Sequence, residues 1–290
     1  MKDPIAFRLE QDPVAGFYRV SPTPAIETLQ QLYSHEYYVT DKPAYLEKTA
    51  SEVSYWHSIW DLRLGAMALA SGRPGRLLDV GASGGFFLDH ARSCGWDIAG
   101  VEPSIQSAAY ARKHFQIDLF NGYLEDYPGD GEPFQAVHLS LVLEHVRDPK
   151  LFLEKALSLL CPGGLIWVET PNDFNALQEV ITSQLEKPQW WVVPEHHLNY
   201  FDYTSLSKLL KSLGAKELDR MGSFPMELFP LMGLDYIGND TVGAQAHGYR
   251  MNFEKRVLAR DPHILAELYR ALARAGMGRT CNILAQTSVD

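Results

Sequence analysis

Between residues 76 and 86 the chain reads RLLDVGASGGF, an apolar run that leads straight into a turn of small residues. Such a turn lets the backbone approach a ligand closely. The helical pattern behind it offers free N–H groups and the positive end of a helix dipole. Glu102 stands 21 residues beyond Gly81 and closes the next apolar run. A carboxylate in that place can accept both hydroxyl hydrogens of a ribose. The two features together predict a nucleoside site. Taken singly, each also fits a plainer reading: a tight strand-to-helix turn without a ligand, or a solvated carboxylate at a strand end.

The turn has no third glycine three residues on, as a pyrophosphate-binding G-x-G-x-x-G would require. It resembles motif I of the class I S-adenosylmethionine-dependent methyltransferases, hydrophobic-hydrophobic-D-x-G-x-G-x-G. The match runs through Leu77, Leu78, Asp79, Gly81, Ser83 and Gly85, with serine in place of the middle glycine. The likeness continues in NGYLED at 121–126, in EHVRDP at 144–149, in LCPGGL at 160–165 and in PEHHLNYF at 194–201. It covers about residues 76–221 and 279–288. What it implies is S-adenosylmethionine as cofactor and S-adenosylhomocysteine as product. Asp79, Gly81, Ser83, Gly85, Glu102, Pro103, Tyr123, Leu124 and Ser140 are the residues it places around the cofactor. The motifs are specific for fold and cofactor and say little about the acceptor.

The sulfonium already activates the methyl group, so the protein's task is to align nucleophile, methyl and sulfur and to exclude water. A hydroxyl acceptor gains from a base that titrates near neutrality, and histidine suits that task. His145, His196 and His197 are the candidates, with His197 favoured by the resemblance; a histidine that merely pins its loop is the competing reading. Trp191 is expected to wall the acceptor site. Residues 241–280 hold seven Lys or Arg and three acids, a local +4 that points to Arg250 and Arg256 as contacts for an anionic acceptor. The expected reaction is therefore O-methylation of a sugar or an anionic metabolite. Gly81-Ala82-Ser83-Gly84-Gly85 also fits G-x-S-x-G, the nucleophile elbow of α/β-hydrolases, with Ser83 as nucleophile. That reading leaves Glu102 and EHVRDP without a role. An NAD-dependent oxidoreductase would use the same kind of turn, but the missing third glycine opposes it. A protein that binds the cofactor without catalysis would carry the same motifs.

The elements that must position these residues follow from the same patterns. Apolar runs at 77–80, 98–101, 117–120, 136–143 and 165–168 alternate with helical segments, which predicts βαβ units and a parallel sheet. Asp148-Pro149 and Asp261-Pro262 read as helix starts. Ser104 and Thr204 read as helix caps. The expectation is a Rossmann-like α/β fold with a seven-stranded, mostly parallel sheet whose last strand is antiparallel. Residues 1–75 show no strand pattern and read as an N-terminal helical cap, helical from 48 to 69, whose Tyr33, Tyr37 and Tyr38 would cover the cofactor. Residues 76–221 and 279–290 form the cofactor domain. Residues 222–278 form a helical insertion that overhangs the acceptor site, with Ile264, Leu265, Leu268, Tyr269 and Leu272 on one apolar face.

Composition sets the remaining bounds. The chain has 290 residues, 46% hydrophobic and 21% charged, so a disordered or fibrous chain is excluded. Its net charge of −10 opposes a nucleic-acid partner. No apolar stretch is long enough to cross a bilayer. The N-terminal sequence lacks the apolar core of a secretory leader, so a cytoplasmic location is expected. Cys94, Cys161 and Cys281 stand too far apart in sequence for a zinc or disulfide framework, so no metal is expected. The partner expected is a small-molecule acceptor, with neither nucleic acid nor membrane.

Overall fold

Strands buried on both faces have to be covered by helices on both sides, and that requirement organises this chain. The computed structural model describes residues 7–34, 42–129 and 131–288. The chain opens with β1 (Arg8–Gln11), β2 (Tyr18–Ser21), α1 (Ile26–Gln31), α2 (Tyr45–Ser51) and α3 (Val53–Ser71). The alternating part follows: β3 (Arg76–Val80), α4 (Phe86–Ser93), β4 (Asp97–Val101), α5 (Ile105–Phe115), β5 (Phe134–Ser140), α6 (Pro149–Ser158), β6 (Leu160–Pro171) and α7 (Ala176–Gln184). Next come β7 (Asn199–Tyr200), α8 (Tyr203–Ser212), β8 (Lys216–Gly222), α9 (Leu228–Leu231), α10 (Asp240–Arg260), α11 (Pro262–Arg274) and β9 (Thr280–Gln286).

The central sheet runs in the order β4-β3-β5-β6-β9-β8. The pairs among β4, β3, β5 and β6 are parallel, and β9 is antiparallel to both its neighbours. Among the described residues the sheet has six strands, not the seven expected. The run at 117–120 contributes one parallel bridge, Val101 to Phe120. Two backbone hydrogen bonds hold it, Phe120 N to Gly100 O and Glu102 N to Phe120 O. Beyond it the Asn121 amide donates to the carbonyls of Glu102 and Pro103, which turns the chain off the edge before a ladder can form.

Side chains alternate across the sheet as the pleat demands. Leu78, Ile166, Val168 and Ile283 face one core with α6 and α8. Leu77, Leu165, Trp167 and Leu284 face the other with α3, α4 and α11. The N-terminal segment departs from the expectation of helices alone. β1 and β2 form a hairpin that adds β7 in a second, three-stranded antiparallel sheet. These strands are short and half-exposed, so their apolar alternation is faint, and the partner that stabilises them lies far along the chain. The helix expected over 48–69 is two helices that meet at Glu52.

Between β8 and β9 stand α9, α10 and α11. α11 packs on β8, and α10 packs on α11 and on α3. The apolar face of α11 is narrower than its pattern suggested. Leu265 and Tyr269 are buried, whereas Ile264 is 51% and Leu268 37% exposed.

Candidate active site

At the carboxyl ends of β3, β5 and β6 and the amino end of the antiparallel β9 a cavity of about 360 Å³ opens under α2, α3 and α10. Asp79, Gly81, Ala82 and Ser83 form its floor on one side, and Ser140, Leu141, Glu169, Thr280 and Asn282 continue the floor across the sheet. Tyr55, Trp56, Ile59, Trp60 and Arg63 of α3 form one wall, and His247, Arg250 and Glu254 of α10 form another.

The glycine turn is built for close approach. Gly81 has φ +76°, and a Cβ there would lie 2.5 Å from Val142 Cγ2. Gly85 has φ +79°, with an added Cβ 2.9 Å from Ala111 Cβ. Ser83 itself takes φ 49°. Its hydroxyl is buried without a hydrogen-bond partner, although the residue lines the cavity. A backbone held in this strained region and an orphaned hydroxyl beside open space fit a bound polar ligand. They do not fit a serine nucleophile, because among the described residues no base is hydrogen-bonded to the Ser83 hydroxyl.

Glu102 meets the same turn from behind. Its carboxylate accepts from Ser83 N at 2.7 Å and from Ser104 N at 2.8 Å. Burial pushes this carboxyl up to about 7, against the pull of those two N–H groups. Two of its roughly four lone-pair directions remain for a ligand. Glu102 itself, with Pro103, Tyr123, Leu124 and Gly85, is not among the residues lining the main cavity. Tyr123 donates to Gln30 O, and Leu124 is packed in the core. Tyr37 and Tyr38 lie outside the described residues.

A chain of buried polar groups spans the floor. Asp79 Oδ1 lies 2.7 Å from His138 Nδ1. Arg63 pairs with Glu169 at 2.6 Å and donates to Ser140 Oγ at 3.2 Å. Glu169 also accepts from Ser140 and Thr280. Burial raises the Glu169 carboxyl, but the Arg63 guanidinium and these donors outweigh it and hold it below the usual range.

The three expected catalytic histidines stand elsewhere. Among the described residues neither His145, His196 nor His197 lines the cavity. His145 Nδ1 is 2.8 Å from His196 O and 2.9 Å from Tyr33 Oη. Burial lowers His145 to about 4 and His197 to about 3. Imidazoles that resist protonation so strongly make weak bases. With buried Glu144 they bring three ligand atoms within 4.8 Å of one another, a donor set able to hold a cation.

The expected acceptor contacts divide in the same way. Trp191 is buried in a satellite cluster with Val20 and Tyr200, where β2 meets β7, and does not reach the cavity. Arg256 is exposed on the outer face of α10. Arg250 does face the cavity, but its charge is matched. Its Nη2 donates to Tyr55 Oη at 2.6 Å and its Nε lies 3.3 Å from Glu254 Oε2. Glu254, 2% exposed, also accepts from the hydroxyls of Tyr55 and Tyr269.

One pair that the motifs did not single out as a base faces the cavity. His247 Nε2 is 3.2 Å from both carboxylate oxygens of Glu52. Burial, the largest influence, lowers the imidazole below its ordinary value despite that carboxylate. No local pattern marks the pair, since Glu52 sits at the break between α2 and α3 and His247 in α10, 195 residues away.

An open α/β sheet with a glycine turn at the end of its first central strand, and a cavity at the carboxyl ends of its strands, defines a nucleotide-cofactor protein of the Rossmann-like class. The methyltransferase-domain family model matches residues 55–218, and the chain belongs to that family. It is 29% identical to a ubiquinone biosynthesis O-methyltransferase of Cereibacter sphaeroides over 157 residues, 51% of this chain and 62% of that one. It is 28% identical to the protein of that name from Aromatoleum aromaticum over 203 residues, 67% of this chain and 85% of that one. The chain spans less than two thirds of the length of the first curated relatives it matches. A SAM-dependent methyltransferase from Archaeoglobus fulgidus superposes with a TM-score of 0.51 at 17% identity, covering 82% of this chain and 98% of that one. The plantazolicin methyltransferase BpumL, solved with a monoazolic desmethylPZN analog and SAH, gives 0.52 at 15% identity, covering 90% and 94%. At these identities the two structures speak for the fold alone.

Proposed function

We propose that this protein transfers a methyl group from S-adenosylmethionine to a hydroxyl of a small molecule with a flat, apolar body. The observation that carries the reading is the continuity of one cavity from the glycine turn, where a nucleoside cofactor would lie, into a chamber walled by Tyr55, Trp56, Trp60 and Trp167. Asp79, Gly81 and Ser83 would hold the cofactor from the cavity side and Glu102 from behind the turn. Bound there, the cofactor supplies an activated methyl group. The residues of the chain align the acceptor against it and exclude water.

A sugar or strongly anionic acceptor fits this chamber less well. Arg63 and Arg250 are matched by Glu169 and Glu254, and Arg279 lies 3.7 Å from buried Glu227. Among the described residues this leaves exposed Lys48, at the rim, as the Lys or Arg of the cavity without a carboxylate against it. Aromatic walls suit a planar acceptor, and the curated relatives named above carry O-methyltransferase in their names. His247, oriented by Glu52, is the base this reading uses. The helical segment 222–278 serves as the lid, through His247, Arg250, Glu254 and Tyr269.

Calorimetry with S-adenosylhomocysteine, followed by methyl transfer from labelled S-adenosylmethionine to a set of phenols, tests the proposal. Saturable one-to-one binding and label in at least one phenol are expected. No binding removes the cofactor. Binding with label appearing only in amines or carbon acids removes the O-methyl assignment.

A further inference from the structure

On the outer side of the cavity wall, α3 and α4 bring together donor atoms that the cavity does not use. His57 and Asp61 are four residues apart on α3, and His90 and Cys94 are four apart at the end of α4. That spacing puts each pair on one face of its helix. We propose that Asp61, His90 and Cys94 form a surface site for a divalent metal of the zinc type, with a fourth position open to water.

The three ligand atoms lie within 4.8 Å of one another. His90 Nε2 is 2.7 Å from Asp61 Oδ1 and 3.8 Å from Cys94 Sγ. A tetrahedral zinc with ligand bonds of about 2.0–2.3 Å separates its ligands by roughly 3.3–3.6 Å. The three donors reach that triangle by shifts of about an ångström, and Asp61 and Cys94 are exposed and free to make them. The imidazole between them is already placed. His90 stacks on His57 with ring centroids 4.1 Å apart and planes 13° apart, and Trp60 packs beside both. A thiolate, an imidazole and a carboxylate favour zinc-type ions over magnesium or calcium. Binding displaces the thiol proton of Cys94 to solvent.

Occupancy would staple α3 to α4. The inner face of α3 carries Tyr55, Trp60 and Arg63 into the cavity, so the metal would stiffen that wall without touching the acceptor. The cluster is distinct from Glu144, His145 and His197, which contain no sulfur.

The test is cobalt(II) titration of the full chain after removal of metal by a chelator. A saturable one-to-one thiolate-to-cobalt charge-transfer band is expected, displaced by one equivalent of zinc. Cys94→Ser should lose the band while keeping the wild-type melting temperature in the absence of metal. Asp61→Asn should weaken cobalt binding by about tenfold or more. A wild-type chain without the band overturns the site. So does a band that survives Cys94→Ser, since its sulfur would then come from Cys161 or Cys281.

Discussion

Burial pushes the Glu102 carboxyl up to about 7, and in the role proposed for it only the ionised form would accept from a ribose diol with full strength. Its value is raised from 4.5 to about 7, so the proton leaves the folded protein late. S-adenosylhomocysteine affinity should therefore rise through about pH 7 and level off above about pH 8. Glu102→Gln should bind more weakly and show a flat profile over that range. Equal pH dependence in both proteins would remove Glu102 from the ribose. Stability has the opposite sign, since a raised carboxyl contributes most below its unfolded value and loses that contribution as pH rises through about 7. His247 gives a second residue-level expectation. Its imidazole is lowered by burial and so is neutral at assay pH, as a base must be. His247→Ala should reduce kcat by ~10²-fold with cofactor affinity unchanged. A variant with full turnover would leave the reaction without a base on α10.

One buried carboxylate ties α10 to both α3 and α11. Glu254 on α10 accepts from Tyr55 on α3 and Tyr269 on α11, and pairs with Arg250 one turn before it. Glu254→Ala leaves a buried guanidinium without its counter-charge and two phenols without an acceptor. It should cost about 3–5 kcal/mol by urea unfolding, and Glu254→Gln clearly less. Equal losses would mean that packing, not charge, holds the three helices. At this scale the sequence was legible where local chemistry decides. Asp148 and Asp261 cap α6 and α11 ahead of their prolines, and Ser104 caps α5. It misled where two local signals compete. Asp202, not Thr204, caps α8, because its carboxylate can close a capping box with Ser205. The break at Glu52 left no glycine or proline to mark it. The base pair Glu52–His247 and the Cys94 cluster join elements far apart in the chain, and nothing in a single sequence records such a meeting.

Over the whole molecule, the order of strands in space differs from their order in the chain, and this has a consequence for folding. The C-terminal strand β9 is not at an edge but between β6 and β8, with seven residues paired to β6. Cys281, Ile283 and Ala285 enter one core and Leu284 the other. Without β9, β8 and the helices packed on it lose their connection to the sheet, and β6 exposes an apolar edge. The N-terminal hairpin is the reverse case. β1 and β2 touch the rest through β7, Phe17 on Phe201 and Val20 beside Trp191. A chain ending at residue 279 should therefore lack a cooperative unfolding transition and fail to bind S-adenosylhomocysteine. A chain beginning at residue 23 should keep one cooperative transition, at a lower urea midpoint, and bind the cofactor product. Truncation keeps the helices of the parallel half in both cases, so far-ultraviolet circular dichroism alone would not separate them. Cooperativity in urea does. If the chain lacking β9 still unfolded in one sharp transition, the two cores would be independent of the strand that joins them, and the cavity could not depend on it.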